Sequence, residues 1–201
     1  MARYTGPKWK QARREGVELD EGKRVLDKRP NPPGEHGRRR RKLIGYGLQL
    51  REKQKVKRMY GMQEKQFRIF FKRAEGKKGV TGENLLQLLE LRLDNTVYRL
   101  GFALTRRQAR QLVTHNHVQI NEKKASIPSM MVKVGDVITL KEKSKSNVQI
   151  QEALKRVAGR GVPEWLELDK KEIKGEIKRM PERSDITVPI SEQLIVELYS
   201  K

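Results

Sequence analysis

Apolar residues along the chain change their spacing three times, and each change predicts a different kind of element. Between Leu43 and Gly101 the spacing is helical. Phe67, Phe70, Phe71 and Ala74 fall at i, i+3, i+4 and i+7, which places three rings on one stripe and predicts core packing for them in preference to base stacking. A helix starting near Thr81, read as its N-cap, carries Leu85, Leu86, Leu88 and Leu89. The next holds Leu93, Val97 and Leu100 and stops at Gly101, a residue suited to the position just past a helix end. Leu48 to Tyr60 reads as a helix whose exposed surface bears Arg51, Lys53, Lys55, Lys57 and Arg58. This half of the chain reads as all-α.

Thr105 followed by Gln108 fits a capping box, and Ala109, Leu112 and Val113 supply the buried stripe of the helix it opens. Arg106, Arg107 and Arg110 are then expected to point away from that stripe. Arg106 and Arg107 oppose the helix dipole, so an external anion is the more economical account of them. After His117 the pattern alternates: Val118 and Ile120, a turn at Asn121-Glu122-Lys123, Ala125 and Ile127, Val132 and Val134, a turn at Gly135-Asp136, then Val137 to Leu140. These predict short antiparallel strands. Asn147 to Ala158 returns to helix, ending at Gly159. Trp165 to Leu168, Gly175 to Met180 and Ile186 to Ile190 read as edge-like strands punctuated by prolines. Ser191 to Tyr199 suits either a helix or a strand.

The first 42 residues differ from everything after them: four residues of the Leu/Ile/Val/Phe set stand against 14 basic and 6 acidic ones. Such a segment buries too little apolar surface to offset its own ordering entropy and is expected to order on a partner. Across 201 residues, 46 Lys and Arg against 25 Asp and Glu leave a net charge of +21, with 35% hydrophobic residues. A compact state with that charge repels itself unless a polyanion neutralises it, which favours a nucleic-acid partner. Residues 159–201 hold 8 basic and 9 acidic residues, so the excess lies in the part before them.

Chemistry-bearing constellations are few. There is no cysteine, which excludes disulfides and zinc sites built on thiolates. His115 and His117 flank Asn116 without an Asp, Glu or third His nearby, so polar contacts at a helix exit are expected there, not a metal site. Asp94 beside Arg92 or Arg99 predicts a local ion pair. No phosphate-binding glycine loop, nucleophile elbow or metalloprotease string occurs. No catalytic residue, metal, cofactor or small-molecule substrate is expected, nor any membrane span or signal peptide.

The basic residues instead sit in distinct elements: a Pro/Arg arm, a Lys/Arg-studded helix, an Arg-led helix N-terminus and a hairpin with Lys123 and Lys124. Spread in this way they suit a folded RNA whose phosphates converge from several directions better than a regular duplex.

The run from Arg92-Leu93-Asp94-Asn95 through Thr105 to Val113 and on to Val134-Gly135-Asp136 resembles the S-four RNA-binding module. Several families carry that module, among them RNA-modifying enzymes and a ribosome-associated heat-shock protein, and both remain alternatives on the module alone. The flanks decide: Met1-Ala2-Arg3-Tyr4, Arg29 to Gly37, Tyr46 to Lys55, Glu64-Lys65-Gln66-Phe67-Arg68 and Glu192 to Glu197 resemble the bacterial small-subunit ribosomal protein S-four family from end to end.

The resemblance implies an α+β protein: an all-helical domain with an inserted α/β domain that holds the helix-turn-hairpin module and short antiparallel strands. The implied boundaries are a basic arm at 1–42, a helical domain at 43–91 completed by 191–201, and an α/β domain at 92–190 with the module over about 92–158. This favours helix for Ser191 to Tyr199. It further implies a non-enzymatic, primary 16S rRNA binder on the cytoplasmic ribosome that joins early in assembly. Contact with ribosomal protein S-five and other small-subunit proteins, a place near the mRNA entry channel and an influence on decoding accuracy belong to the same implication.

Candidate rRNA contacts are then Arg3, Tyr4, Arg13, Arg14, Arg38, Arg39, Arg40, Arg41 and Lys42 in the arm. On the next helix they are Arg51, Lys53, Gln54, Lys55, Lys57 and Arg58, and in the module Arg106, Arg107, Arg110, Lys123 and Lys124. Two features depart from the family pattern. Trp9 and Ala12 stand where the first pair of a four-cysteine zinc knuckle would be, which marks a zinc-free variant. Asn121-Glu122 replaces the usual Asn-Gly hairpin turn.

Overall fold

A computed structural model of the chain describes residues 4–19, 25–39 and 44–200, the side chains of Ala158 and Arg160 excepted. Helices α1 (Lys8–Glu15), α2 (Val25–Lys28), α3 (Tyr46–Met59), α4 (Glu64–Glu75), α5 (Thr81–Glu90), α6 (Leu93–Arg99) and α7 (Arg106–Thr114) precede strands β1 (Val118–Ile120), β2 (Lys123–Lys124) and β3 (Val137–Leu140). Then come α8 (Glu142–Lys145), α9 (Val148–Arg160), β4 (Leu166–Asp169), β5 (Lys174–Ile177) and α10 (Glu192–Tyr199). The protein is α+β.

The chain divides into two compact units, one of Met1–Leu85 with Val188–Lys201 and one of Leu86–Thr187. In the first, the Phe67/Phe70/Phe71/Ala74 stripe of α4 is buried. Residues 191–199 form a helix, with Ser191 donating its backbone N–H to Glu52 Oε1 on α3 at 2.8 Å. The ring of Tyr199 lies 4.5 Å from that of Phe71, so the C-terminal helix closes over the aromatic stripe.

The second unit is built on an antiparallel sheet in the order β2-β1-β3-β5-β4. Its core gathers Leu93, Val97, Leu100, Ala109, Val113, Val118, Ile138, Ile150, Trp165 and Ile177. Gly101 follows α6 at φ +84°, and a Cβ there would stand 1.9 Å from Val157 Cγ2. The turn needs glycine both for its backbone angle and for its space.

Four expectations are corrected. Thr81 is the first residue of α5, not its cap. Helix α9 runs through Gly159 to Arg160 and gives way at Gly161, at φ +81°. Residues 125–134 form no strand, only the bridge Arg92↔Met131. Their backbone meets the 91–94 segment at separate points: Val132 N–H donates to Leu91 O at 3.0 Å and Leu93 N–H to Met130 O at 2.8 Å. The alternation there reflects burial of Ala125 and Val132 beside exposed Ile127 and Val134, not a ladder. Residues 186–190 likewise form no strand. A single 3-10 turn at Arg183–Asp185 precedes them, and Pro189 has no N–H to give to a ladder.

Candidate nucleic-acid interface

The Thr105 hydroxyl accepts the N–H of Gln108 at 3.2 Å, which fixes where α7 begins. The reciprocal contact is displaced by one residue, because Gln108 Oε1 accepts from Leu104 N–H at 2.8 Å and not from the cap itself. Helices α6 and α7 are then tied by a buried polar network. Arg99 grips the Glu90 carboxylate through Nε at 2.9 Å and Nη2 at 2.8 Å. The same carboxylate accepts from Asn95 Nδ2 at 2.7 Å, leaving Asn95 Oδ1 to accept from Arg106 Nε at 2.8 Å. The Arg106 guanidinium also lies over the Tyr98 ring, 4.6 Å from its centroid. Arg92 holds Asp94 with both Nε (3.0 Å) and Nη2 (2.7 Å), and Arg110 Nη1 reaches the same carboxylate at 3.1 Å.

This network corrects one expectation: Arg106 does not point away from the fold. It is 9% exposed and acts between α6 and α7. Arg110 is half-buried against Asp94, and only Arg107 of the three is exposed. The predicted pairing of Asp94 with Arg92 is present, whereas Arg99 takes Glu90.

The hairpin that follows places Lys123 and Lys124 on β2, both exposed. Asn121 and Glu122 form its two-residue turn with φ of +47° and +65°, positive at both central positions as in a type I′ turn. Asn121 secures it, donating to Asp136 Oδ1 at 2.9 Å and accepting from Val137 N–H at 2.9 Å. His117 Nδ1 meets Ser144 Oγ at 2.8 Å, with the His115 ring 6.4 Å away. Among the described residues no group of three or more His, Cys, Asp or Glu suits a metal ion.

In the helical unit, α3 is less free than its sequence suggests. Lys53 and Lys57 converge on Glu64 at 2.6 and 2.9 Å, Lys55 pairs with Glu52 at 2.7 Å, and Arg51 and Arg58 both hold Glu15 Oε1. The helix surface expected to be exposed is half-buried, and Lys53 is fully covered at 8% exposure. Each long cation is in reach of an acid or carbonyl brought in from another element. Sequence spacing along one helix does not reveal such partners.

Partial burial would raise the Glu64 carboxyl, but hydrogen bonds from Lys53 and Lys57, the Lys57 charge and the Tyr199 hydroxyl outweigh it and bring it to about 2. Tyr199 is pushed up by burial and by the facing Glu64 charge. Glu15 moves the other way. Burial raises it in spite of Arg51, Arg58, Arg14 and Lys55, and its buried Oε2 has no hydrogen-bond partner among the described residues. Gln54 lies half-buried on the same helix.

In the arm, Tyr4, Arg14, Arg38 and Arg39 are exposed, whereas Arg13 Nε donates to Asn31 O at 2.7 Å. Arg3, Arg40, Arg41 and Lys42 lie outside the described residues.

Residues 3–90 match the family described as ribosomal protein S4/S9 N-terminal domain, and residues 91–138 match the S4 domain. Bacterial proteins named small ribosomal subunit protein uS4 align over the full length of both chains, with 58% identity in Geobacter sulfurreducens, 57% in Pelobacter propionicus and 58% in Geotalea daltonii.

The chain belongs to the uS4 family.

That membership sets aside the RNA-modifying and chaperone alternatives: uS4 proteins are ribosomal proteins, not enzymes. Within the uS4 frame, the tied pair of helices α6 and α7 and the hairpin after them fall in the S4 domain.

Proposed function

We propose that this chain is a structural component of the small ribosomal subunit that binds 16S rRNA early in assembly, gripping a helical junction of the subunit body. Near the mRNA entry channel, with ribosomal protein S-five as neighbour, it supports accurate decoding. The observation that carries the reading is the S4 domain itself: buried acids hold Arg92, Arg99 and Arg110 and Asn95 holds Arg106, while Arg107, Lys123 and Lys124 stay exposed. Cations on a rigid mount suit phosphates whose positions are fixed by RNA folding. The arm residues Tyr4, Arg14, Arg38 and Arg39 offer a second set of contacts, with Arg3, Arg40, Arg41 and Lys42 completing it.

Counting copies of the chain per purified small subunit tests the reading. One copy on each subunit is expected, and a substoichiometric value would return it to an associated factor. Binding to 16S rRNA should exceed binding to unrelated structured RNA of equal length, and equal affinity would remove the specific role.

A further inference from the structure

We propose that the outer face of α4 is a further phosphate-contacting surface, formed by Lys65, Arg68 and Lys72 and extended by Lys77 and Lys78; the proposal rests on the reading that the chain binds small-subunit rRNA. Lys65, Arg68 and Lys72 fall at i, i+3 and i+7, so they share one face of the helix. All three are exposed, as are Lys77 and Lys78 just past the helix end.

The contrast with α3 gives this face its meaning. There, Arg51, Lys53, Lys55, Lys57 and Arg58 each meet a carboxylate. On α4 the acid at the helix start, Glu64, is already taken by Lys53, Lys57 and Tyr199. No ion pair joins the five outer cations to any acid among the described residues.

Like charges stacked on one helix face destabilise it, and an external polyanion would relieve that cost. The opposite face is fixed by the buried Phe67, Phe70 and Phe71, so the cations are displayed at set positions. Regular spacing on a rigid helix fits a run of RNA phosphates, which position a protein without reading bases.

The test compares full-length wild type with the triple variant Lys65→Gln/Arg68→Gln/Lys72→Gln in filter binding to 16S rRNA over a range of salt. Lys143→Gln/Lys170→Gln/Lys171→Gln removes the same charge from other exposed sites and serves as control. With each phosphate contact contributing ~0.7–0.9 to the slope of log K against log salt, the α4 variant should lose about 2 units of slope and at least tenfold in affinity near physiological salt. The control should keep the wild-type slope. Lys77→Gln/Lys78→Gln, outside the helix, should lose about 1.5 units and remains decisive if the triple variant is poorly folded.

Wild-type slope in the α4 variants, or a loss no greater than the control's, overturns the proposal and leaves the face to solvent or to an acidic protein. If wild type binds unrelated RNA as tightly as 16S rRNA, the specific rRNA reading fails instead, while the slope comparison still decides whether α4 touches phosphate.

Discussion

Arg106 donates its Nε–H to Asn95 Oδ1 across 2.8 Å, joining the first turn of one module helix to the first turn of the helix before it. Asn95 is in turn held by Glu90, so removing the guanidinium leaves a buried acceptor empty and uncovers the face of Tyr98. Arg106→Gln should therefore cost ~2–3 kcal/mol in urea unfolding, with the loss read as stability before it is read as RNA affinity. An unchanged urea midpoint would show that the link between the helices is dispensable.

Glu64 and Glu15 bind cations of the same helix, yet their effects on stability run in opposite directions with pH. Glu64 titrates near 2 when folded, so its contribution is present above about 4.5 and is lost as pH falls toward 2. Its side chain is 47% exposed, and solvent keeps the size of that loss small. Glu15 is raised by burial, so its contribution is full below about 4.5 and is lost as pH rises through its folded value. Measured against pH-independent references, wild type should lose stability relative to Glu64→Gln on acidification and gain relative to Glu15→Gln. Parallel curves for the two variants would refute this.

Glu122 holds φ +65° in a turn that glycine adopts freely. Glu122→Gly should raise stability by ~0.5–1 kcal/mol, the relief of a strained backbone less the entropy that glycine adds to the unfolded chain. Thermal melting gives the sign directly.

Gly101→Ala should cost ~2–4 kcal/mol, from a positive φ and from a Cβ driven into Val157. Adding Val157→Ala should restore only the share due to overpacking. Full restoration would mean that the backbone angle carries no strain.

Much of the fold was legible because it rests on local signals. The i, i+3, i+4 stripe of Phe67, Phe70 and Phe71, the Thr105 cap and the Gly101 stop each act within one turn of helix, and each stands where the spacing puts it. What failed depends on partners distant in sequence. Ala125 to Val134 alternates like a strand, yet Pro128, Met130 and Val132 exchange backbone hydrogen bonds with residues 91–94 at separate points. Residue type and helical position put Lys53 and Arg106 on the surface, whereas an acid and an amide from other elements draw them in. The basic spacing of Lys65, Arg68 and Lys72 was visible in the sequence, beneath the stronger aromatic pattern of the same helix.

The proposed function depends on the exposed cations of the module meeting RNA. Full-length Arg107→Glu and Lys123→Glu/Lys124→Glu, assayed against 16S rRNA together with their thermal melting, test it most directly. Binding should weaken by ~1–3 kcal/mol for each variant, with the melting temperature of Lys123→Glu/Lys124→Glu unchanged. Wild-type affinity in both would contradict it.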